Sequence, residues 1–448
     1  MASKVSNWGN YPRIPAPVTS YRPGQALSDL PATSWIPRGL GRCYGDASLG
    51  DQMLSSEKLN RLLSFDEETG LLVCEAGVSF ADLLEVFVPK GWFPPVTPGT
   101  KFVSMGGALA SDVHGKNHHL EGSFSQHVQF FDLLLPDGRE VRCSRDQHPE
   151  LFLATAGGMG LTGMILRLAL KMKPIQSSAI AFSSVKARNL SEIMELMDEY
   201  EKATYTMAWI DCLAKGNKLG RSILMKGEHA SLEEIRGSKW EKAPLKQPQK
   251  LKLTVPFYFP SFTLNPLTVR AFNFAYYHKQ RKKLVEKLVD YDSFFYPLDA
   301  IHHWNRIYGK KGFTQYQLVV PKEAGAKAIP EVLDRARQAN FGSFLSVLKL
   351  FGHQEGMMNF PMRGYTLTLD FPISTRLMNF LPELDALVEH YGGRVYLTKD
   401  VRMSPEMLAR TYPGLEDFKQ VLAKVNPDAK VDSLLARRLH LTPSSPPA

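Results

Sequence analysis

The feature that most constrains the fold of this chain is the run from Pro98 to His119, which reads Pro-Gly-Thr-Lys-Phe-Val-Ser-Met-Gly-Gly-Ala-Leu-Ala-Ser-Asp-Val-His-Gly-Lys-Asn-His-His. Glycine permits a positive φ and lets a ligand approach the bare backbone. Consecutive exposed N–H groups in such turns form concavities that bind anions. The run therefore predicts a cradle for a pyrophosphate, although a glycine-rich surface loop stays open as an interpretation of this stretch alone.

A second glycine turn lies ahead of this run, at residues 37–45, where the chain reads Pro-Arg-Gly-Leu-Gly-Arg-Cys-Tyr-Gly. Between the two turns, the apolar run 71–75 predicts a strand, and Ser79 caps a predicted helix that Gly91 ends. Two glycine turns around a strand–helix unit are what an extended dinucleotide needs. The pair of turns thus strengthens the prediction of a dinucleotide site.

A third glycine pattern, Gly158-x-Gly160-x-x-Gly163, has the form of the Rossmann dinucleotide fingerprint. That fingerprint follows a strand and opens a helix. Here the residues after Gly163 alternate between apolar and other side chains as far as Met172, which predicts a strand. We therefore reject a Rossmann site, and we place a domain boundary at Pro174, which closes the segment.

Composition bounds the class of protein. A length of 448 residues predicts two or three domains, and 44% hydrophobic and 22% charged residues are typical of a soluble globular chain. The four cysteines have neither CxxC nor zinc-ligand spacing, which predicts reduced thiols in a cytoplasmic compartment. The start is polar and no run is apolar enough to span a bilayer, so we expect neither a signal peptide nor a membrane span.

The net charge of +9 calls for a partner or for a solvated surface. Nucleic acid is not favoured, because no zinc finger, RNA-binding consensus or helix-turn-helix pattern is present. An anionic membrane surface and a phosphate-bearing substrate both fit this charge. These two interpretations and a merely solvated surface all remain open at this point.

The second half of the chain predicts helices packed on one face of an antiparallel sheet, and hence an α+β protein. Helical periodicity covers residues 190–200, 322–339 and 377–388, and strands are predicted at 314–320, 344–351 and 364–371. Period-two alternation places polar side chains together on one face of these strands: Gln315 with Gln317, Lys349 with Phe351, and Thr366 with Thr368 and Asp370. Such a face suits a hydroxyl-rich or phosphate-bearing ligand, and a sheet face open to water is the alternative.

Several motifs together resemble a known class of enzymes. Arg-Gly-x-Gly-x-x-Tyr-Gly from Arg38, Pro-Gly-Thr at 98–100, Gly-Gly-Ala at 106–108 and Gly-Leu-Thr-Gly at 160–163 resemble the vanillyl-alcohol-oxidase class with its PCMH-type FAD-binding domain. His-Gly-Lys-Asn-His-His at 114–119 is similar to the decaprenylphosphoryl-β-D-ribose 2′-oxidase family. Further matching segments are Ala-Trp-Ile-Asp at 208–211, Tyr-Pro-Leu-Asp at 296–299, Gln-Tyr-Gln at 315–317, Lys-Leu-Phe-Gly at 349–352, Asp-Phe-Pro-Ile at 370–373 and Thr-Lys-Asp at 398–400.

The resemblance implies an FAD-binding domain at 1–174, a substrate-binding cap domain at 175–393 and a return to the FAD-binding domain at 394–448. It implies FAD-dependent oxidation of the 2′-hydroxyl of a polyprenyl-phosphoryl-β-D-ribose to the 2′-keto sugar. An NADH-dependent keto-reductase is the implied partner, which completes an epimerisation of ribose to arabinose. We expect a cytoplasmic protein, with peripheral attachment to the inner face of the plasma membrane left open.

The resemblance also implies particular site residues. The implied FAD contacts are Arg38, Gly39, Gly41, Arg42, Cys43, Tyr44, Gly45, Asp46, Gly99, Thr100, Ser104, Met105, Gly106, Gly107, Ser111, Asp112, Val113, His114, Gly115, Asn117, Ile165, Tyr396 and Lys399. The implied substrate contacts are Tyr296, Gln315, Gln317, Lys349, Phe351, Thr366 and Thr368. The catalytic candidates are Lys399, His114, Tyr296 and Gln317. Among them, we expect Lys399 to hold the reacting hydroxyl and the negative charge that develops on the flavin.

Two positions depart from the family pattern. The pocket cysteine that certain nitroaromatic inhibitors attack is Thr368 here, and the asparagine two residues earlier is Thr366. The position of the flavin-linking histidine in covalent relatives is Arg42, and arginine has no nucleophilic nitrogen at neutral pH. We therefore predict non-covalent FAD and leave the ligand preference of the pocket open.

Other interpretations concern metals, membranes and rival functions. His118, His119 and His127 have no cysteine or carboxylate at helical ligand spacing, so we predict no metal site.

In residues 255–287 aromatic side chains precede a basic cluster, which fits either an interfacial membrane contact or a buried aromatic core with a solvated helix end. A soluble sugar or aldonolactone oxidase and a non-catalytic flavin- or lipid-binding protein are the rival functions.

Overall fold

The computed structural model describes residues 4–25, 27, 34–248, 253–260 and 262–442. Its strands are β1 Val18–Ser20, β2 Ile36–Arg38, β3 Met53–Ser55, β4 Leu62–Asp66, β5 Leu71–Glu75, β6 Trp92–Phe93, β7 Val128–Leu134, β8 Glu140–Ser144, β9 Met164–Lys171, β10 Lys173–Pro174, β11 Ala179–Ala187, β12 Tyr205–Ile210, β13 Ser222–His229, β14 Leu253–Thr254, β15 Leu284–Asp290, β16 Ile301–His302, β17 Phe313–Pro321, β18 Ser346–Phe351, β19 Gly364–Pro372 and β20 Arg394–Val395. Its α-helices are α1 Phe80–Phe87, α2 Met105–Ala110, α3 His118–Glu121, α4 Pro149–Thr155, α5 Leu190–Glu199, α6 Pro266–Lys279, α7 Tyr291–Phe295, α8 Lys322–Gln338, α9 Thr375–His390, α10 Pro405–Thr411, α11 Leu415–Val425 and α12 Leu434–Arg438. Short 3₁₀ turns occupy Val88–Lys90, Phe124–His127, Gly216–Lys218, Pro297–Ala300 and Trp304–Tyr308.

The smaller of the two main sheets is antiparallel, with the strand order β4-β5-β9-β7-β8. Helix α1 follows β5 as predicted. Ser79 forms a capping box with Asp82, since each side chain accepts a bond from the other residue's backbone N–H. Gly91, with φ of 82°, closes the 3₁₀ turn that extends α1. The glycine pattern at 158–163 leads straight into β9, which confirms that it is no Rossmann turn.

The larger sheet has eight strands in the order β15-β11-β13-β12-β18-β19-β17-β20, and its neighbouring strands pair antiparallel. Helices α5, α8 and α9 pack against one of its faces. They bury apolar side chains such as Ile193, Val332 and Leu384 in the main hydrophobic core. The structure confirms the predicted layering, and the fold is α+β.

The opposite face of this sheet carries the polar side chains that the alternation predicted. Gln315 lies opposite Asp370, Gln317 opposite Thr368, and Lys349 opposite Thr366. This face is not open to water, because Gln317, Thr366 and Asp370 expose only 3%, 0% and 1% of their surface. The water-facing alternative is therefore wrong, and these polar groups are directed into the interior.

The N-terminal arm and the C-terminal segment both contact the rest of the molecule near the glycine turns. The arm contains β1, which the sequence did not predict, in a small parallel sheet with β3 and β2. The Trp8 N–H donates to Cys43 O, and the Phe313 N–H donates to Gly9 O. In this arm, residues 1–36, the positions 1–3, 26 and 28–33 lie outside the described ranges. Residues 394–395 still pair with β17 at the edge of the larger sheet, and the chain leaves that sheet after Val395.

Candidate active site

The two glycine turns predicted from the sequence meet in space. A Cβ placed on Gly39 would lie 2.2 Å from Ser104 Oγ, so the turn at 37–45 touches the start of α2. Ser104 caps α2 by accepting a bond from the Gly107 N–H. A Cβ on Gly99 would meet no atom within 4 Å, so the backbone there faces open space. Bare backbone at two adjoining turns is a cradle suited to a phosphate-bearing cofactor.

A third segment, residues 396–400, contacts both glycine segments. The Tyr44 N–H donates to Thr398 O, and the Tyr396 hydroxyl donates to Ser111 O over 2.7 Å. A Cβ on Gly45 would lie 1.8 Å from the backbone oxygen of Asp400, so only glycine allows this approach. The contacts bring the Thr-Lys-Asp segment against both glycine turns.

Lys399 is enclosed at this junction. Its Nζ lies 3.8 Å from the centroid of the Tyr44 ring, within cation–π range. The Asp400 carboxylate instead forms an ion pair with Arg438, with Oδ2 2.8 Å from Nη1. Lys399 is therefore not a surface residue paired with its neighbour. Burial lowers the pKa of Lys399 to about 7, while the nearby Asp370 carboxylate acts in the opposite direction.

His114 joins this site to the larger sheet. The Gln317 side-chain nitrogen donates to His114 Nε2 over 2.9 Å, and His114 Nδ1 has no partner among the residues described. Burial holds the pKa of His114 well below its ordinary value, and the charges of Lys349, His118 and Lys399 add to the effect. The ring is thus neutral at neutral pH, with its proton on Nδ1 when Gln317 is the donor.

Two further lysines lie near His114, and one of them was not predicted. Burial lowers the pKa of Lys349 to about 8 and that of Lys116 to about 7. Lys116 Nζ donates to Phe294 O over 2.9 Å and to Phe295 O over 3.2 Å. The charge of Lys349 lowers the pKa values of Lys116, Lys399 and His114 alike, so all three groups lie within electrostatic range of Lys349. The one available signal for Lys116 was its place inside the His-Gly-Lys-Asn motif.

One buried carboxyl group accompanies these cations. Asp370 Oδ1 accepts from Gln315 Nε2 over 2.6 Å, and Oδ2 accepts from the Tyr308 hydroxyl over 3.2 Å. Burial raises the pKa of Asp370 to about 7, against the effects of these bonds and of Lys399. The sequence placed Asp370 on the polar sheet face, but it assigned no role to this residue.

Tyr296 is the predicted site residue that the structure connects least directly. It is fully buried in an apolar cluster with Phe93, Phe295 and other side chains. Its hydroxyl lies 2.5 Å from Thr97 Oγ1. Thr97 in turn lies beside Gly115, where an added Cβ would come within 3.2 Å of Thr97 O. None of the contacts found in the described part of the chain joins Tyr296 to Gln317 or Lys399, so its role in orienting the sugar stays a prediction.

Several predicted cofactor contacts use their polar atoms within the chain. Arg38 donates to Ser6 O and to Asn7, Asp46 forms an ion pair with Arg438, and Asp112 accepts from the Ser125 N–H. These contacts shape the glycine turns instead of leaving the side chains free for a ligand. The other predicted contacts also lie in or beside the turns: Arg42 over the Trp8 ring, Cys43 against Ser48, Thr100 bonded to Asp299, Asn117 bonded to Pro95 O, and Met105, Val113 and Ile165 in the buried core.

The substrate positions predicted on the sheet lie together with His114. Phe351 packs edge-on against His114 with ring centroids 4.7 Å apart, and Gln317 also approaches Thr366 Oγ1. Thr368 lies opposite Gln317 in the register of β17 and β19. The Gln317 amide, the Thr366 hydroxyl and the His114 ring therefore lie in mutual contact between the sheet and the glycine run at 98–119.

The remaining sequence predictions concern thiols, metals and membrane spans. All four cysteines are free thiols. His119 Nε2 contacts Ala203 O and His127 Nε2 contacts Glu121 O, which are structural hydrogen bonds. Within the ranges described, no group of three or more His, Cys, Asp and Glu side chains has the geometry to hold a metal ion. No helix in those ranges combines the length and apolar character needed to cross a membrane.

Comparison with known proteins bears on the cofactor. A family profile described as "FAD binding domain" matches residues 31–144, which include both glycine turns and β5, α1, α2 and β7. The residues present fit this cofactor, because bare backbone, small hydroxyl side chains and a half-buried lysine line one cradle. The chain is an FAD-dependent oxidoreductase.

Similar proteins extend the comparison beyond this domain. The decaprenylphosphoryl-β-D-ribose oxidase of Mycolicibacterium smegmatis is 39% identical over 413 residues, which is 91% of this chain and 89% of that protein. An uncharacterised protein of Streptomyces coelicolor is 34% identical over 80% of this chain and 99% of its own length. The L-gulonolactone oxidase of Mus musculus is 21% identical over 84% of this chain and 82% of its own length.

Proposed function

The chain belongs to the decaprenylphosphoryl-β-D-ribose oxidase family, and we propose that it oxidises the 2′-hydroxyl of a polyprenyl-phosphoryl-β-D-ribose to a 2′-ketone. The observation that carries the proposal is the group of enclosed cations around Lys349, namely Lys116, Lys399 and Lys349 itself, with Asp370 as the carboxyl group that bears on Lys399. Burying several positive charges together raises the free energy of the folded protein unless a negative charge binds among them. A sugar that carries a phosphodiester supplies that charge.

When bound, FAD would supply the acceptor for the hydride of the carbon that carries the reacting hydroxyl. The chain itself must receive the proton that the hydroxyl loses. Lys399 suits this task, because a pKa of about 7 keeps part of the population as a neutral amine near neutral pH. The ammonium that results would be a fixed cation in the site, and a cation placed where negative charge develops stabilises the transition state more than the ground state.

Gln317 and His114 are the side chains that we propose position the sugar. Gln317 is fixed by its bond to His114 and offers its remaining amide groups to sugar hydroxyls. His114 presents an unpartnered Nδ1 and stays neutral, so it serves as a hydrogen-bond donor and not as an acid. Together these side chains restrict the sugar to one orientation, and this restriction lowers the entropic cost of reaching the transition state.

The phosphate of the substrate is assigned to Lys116 and Lys349. Two backbone carbonyls hold the Lys116 ammonium in place, which leaves one N–H for a ligand. Lys349 Nζ has no hydrogen-bond partner within the described ranges, and its side chain is only half-buried. Since the phosphate is attached to C1 and the reacting hydroxyl to C2 of the same ribose, the proposal requires one ribose to meet all three lysines.

The rival function of a soluble sugar or aldonolactone oxidase fits this pocket less well. A neutral sugar or lactone leaves the charges of Lys116 and Lys349 without a counter-ion. The relative that carries a lactone name, L-gulonolactone oxidase, is 21% identical. A phosphorylated substrate is therefore the better match to the electrostatics of the site.

The test is anaerobic mixing of the FAD-loaded protein with a panel of sugars, followed by the loss of flavin absorbance. The panel contains a farnesyl-phosphoryl β-D-ribose, its arabinose epimer, free ribose and an aldonolactone. We expect fast bleaching with the phosphoryl ribose and none with free ribose. Equal or faster bleaching with the aldonolactone would contradict the proposal, and no bleaching with any sugar would favour a non-catalytic protein.

We infer that the substrate reaches the site from an anionic membrane surface. Phe257, Phe262 and Phe274 expose 63%, 75% and 56% of their surface, so they are not part of a buried aromatic core. Tyr276, from the same stretch, does pack inside, against Trp209 with ring centroids 4.6 Å apart. The exposed basic residues Lys279, Arg281, Lys282 and Lys283 follow at the end of α6. Exposed aromatic rings beside a basic cluster suit the headgroup region of an anionic bilayer.

This location completes the proposal. The protein acts in the cytoplasm at the inner face of the plasma membrane, where the polyprenyl chain stays in the lipid and the sugar enters the pocket. A 2′-keto sugar is a reactive product that needs a reductant to yield the epimer. An NADH-dependent keto-reductase is therefore the proposed partner, and reconstitution of ribose-to-arabinose conversion with such an enzyme tests this part.

A further inference from the structure

We propose that Arg438 is a positioning residue for the oxidation, because its guanidinium group clamps the end of the first glycine turn to the segment 396–400. This clamp holds the Lys399 side chain against the Tyr44 ring. The role of Arg438 in turnover rests on the proposed function, whereas the clamp itself can be tested without any substrate. The matched FAD-binding profile at residues 31–144 does not reach helix α12, which carries Arg438.

The guanidinium group of Arg438 binds two buried carboxylates at once. Its Nε and Nη2 donate to the two oxygens of Asp46 over 3.0 Å and 2.9 Å, which makes a bidentate pair. Its Nη1 lies 2.8 Å from Asp400 Oδ2 and donates to Met403 O over 2.7 Å. Asp46 and Asp400 are each 5% exposed. All three nitrogens of the fork are thus engaged, and they join two segments that are far apart in the sequence.

Each of these carboxylates lies next to one partner of the contact between Lys399 and Tyr44. Asp400 directly follows Lys399, and Asp46 follows Tyr44 after a single glycine. Lys399 Nζ lies 3.8 Å from the centroid of the Tyr44 ring. The two side chains that meet are therefore carried by the two pieces of backbone that Arg438 joins.

The two pieces of backbone are also in direct contact, so there is little room for adjustment between them. The Tyr44 N–H donates to Thr398 O over 3.0 Å. A Cβ on Gly45 would lie 1.8 Å from Asp400 O. The Asp400 carboxylate also accepts backbone N–H groups of the turn that follows it. A change in the position of the Asp400 carboxylate is therefore passed to the backbone on both sides, which includes Lys399.

This clamp bears on the proposed reaction through geometry. Transfer of a proton to Lys399 requires its amine to lie within hydrogen-bond reach of the reacting hydroxyl. A misplacement of about 1 Å that originates far from the reacting atoms can lower a rate about a hundredfold. Loss of the clamp should therefore slow flavin reduction. It should leave binding of the substrate phosphate, assigned to Lys116 and Lys349, nearly unchanged.

Arg437, the neighbouring residue on α12, provides a matched control. Its guanidinium group also joins two carboxylates, since Nη1 donates to Asp51 over 3.0 Å and Nε pairs with the buried Asp432. Neither carboxylate belongs to the first glycine turn or to the segment 396–400. The variant Arg437→Lys therefore makes the same chemical change on the same helix without altering the clamp.

The first measurement is hydrogen–deuterium exchange of the FAD-loaded proteins, followed by mass spectrometry of their peptides. Lysine keeps the charge of Arg438 but has no planar fork, so Arg438→Lys should fold with a weakened clamp. We expect residues 396–403 to exchange about tenfold faster in Arg438→Lys. A peptide from β7 should keep the wild-type rate, and Arg437→Lys should change neither peptide. Unchanged exchange of residues 396–403 in Arg438→Lys would overturn the inference.

The second measurement separates positioning from a purely structural role. With farnesyl-phosphoryl ribose, the limiting rate of flavin reduction should fall about tenfold in Arg438→Lys. The half-saturating concentration of this sugar should stay within about twofold of the wild-type value. Arg437→Lys should keep both values. Faster exchange with an unchanged limiting rate would show that the clamp serves the fold alone, and it would overturn the positioning role.

A second variant covers the case in which Arg438→Lys does not fold. Asp46→Asn weakens the clamp and leaves Arg438 on Asp400, and Asp51→Asn is its control. Residues 396–403 should exchange faster in Asp46→Asn than in Asp51→Asn, and equal exchange in the two would contradict the inference. Exchange needs no substrate. A chain whose flavin no phosphoryl ribose reduces, but whose exchange responds as described, would therefore refute the proposed function and leave the clamp supported.

Discussion

The side-chain nitrogen of Gln317 lies 2.9 Å from His114 Nε2, and this hydrogen bond joins β17 of the eight-stranded sheet to the glycine run at 98–119. Gln317 is 3% exposed and His114 is 8% exposed, so the bond is sealed from water. A buried hydrogen bond between the sheet and this run helps to fix the relative position of the two and the tautomer of the histidine. The pocket is therefore pre-organised before any sugar enters.

The first prediction is that FAD is bound without a covalent link. Arg42, at the position where covalent relatives carry their linking histidine, stacks over the Trp8 ring at 4.3 Å. A guanidinium group offers no nucleophilic nitrogen at neutral pH. Acid precipitation should leave the yellow colour in the supernatant. Colour that stays with the precipitated protein would contradict the prediction.

The second prediction concerns nitroaromatic inhibitors that modify the pocket cysteine of relatives. Thr368 occupies that position, opposite Gln317 in the sheet register. A threonine hydroxyl is far less nucleophilic than a thiolate unless a base activates it. We expect no covalent adduct in the intact mass after incubation with flavin-reduced protein. The variant Thr368→Cys is the positive control, and an adduct mapped to Thr368 itself would refute the prediction.

The third prediction concerns membrane binding through the exposed aromatic and basic residues around α6. The protein should sediment with anionic liposomes, and salt should weaken the binding because exposed charges are screened beyond about 10 Å at 0.1 M. Replacement of Lys279, Arg281, Lys282 and Lys283 by Gln should reduce binding strongly. A variant with Lys215, Lys218, Lys239 and Lys242 replaced by Gln is the control with the same loss of charge. Equal binding to neutral liposomes, or no binding to either kind of liposome, would contradict the prediction of electrostatic membrane binding.

The fourth prediction is a pH-dependent gain of stability on replacing Lys349 by Met. In the folded state the pKa of Lys349 is about 8, below its ordinary value, so between about pH 8 and pH 10 the unfolded state binds the extra proton. The stability of the wild type should therefore rise with pH across this window. Lys349→Met should lack this rise and be more stable by about 2 kcal/mol at pH 7, a figure discounted for partial solvent access.

Thermal unfolding at pH 7, 8, 9 and 10 measures this effect. Lys327→Met is the control, since Lys327 is exposed on α8. Lys349→Met should also lose the preference for phosphoryl ribose over free ribose. The reason is that Lys349 lowers the stability of the fold because it serves as an anion site. A Lys349→Met protein that is less stable than wild type at pH 7 would show that Lys349 serves the fold.

Local pattern was sufficient to predict much of the fold and part of the site. The alternation of polar and apolar residues in β17, β18 and β19 placed Gln317, Lys349 and Thr366 on one face, because side-chain direction in a strand depends only on the neighbouring residues. The Ser79 cap of α1 and the strand after Gly163 were predicted from local pattern as well, whereas the reciprocal bond from Asp82 was not. Strand register and the depth of burial depend on distant segments.

Contacts between residues far apart in the sequence could not be predicted from local pattern. Lys116 follows a glycine in a polar loop, and its burial arises from Phe294 and Phe295, far along the chain. Tyr296 was chosen by resemblance alone, whereas the structure places its hydroxyl on Thr97. The sequence placed Asp370 on the polar sheet face, but its buried hydrogen bonds with Gln315 and Tyr308 are visible only in the structure.

The central claim is that Lys399 is needed for flavin reduction and not for FAD binding. Lys399→Ala should purify folded and yellow, because the glycine turns that form the cradle do not depend on its side chain. Lys399→Arg separates charge from proton transfer, since arginine keeps the charge but accepts no proton. Both variants should lose the proton acceptor.

The most direct measurement is stopped-flow reduction of the bound flavin by farnesyl-phosphoryl ribose in the absence of oxygen. Lys399→Ala should lose at least ~2 kcal/mol of transition-state stabilisation, or about 30-fold in the reduction rate, on the scale of deleting one preorganised donor. A Lys399→Ala protein that reduces its flavin within a few-fold of the wild-type rate would contradict the account and move the catalytic role to His114 or Tyr296.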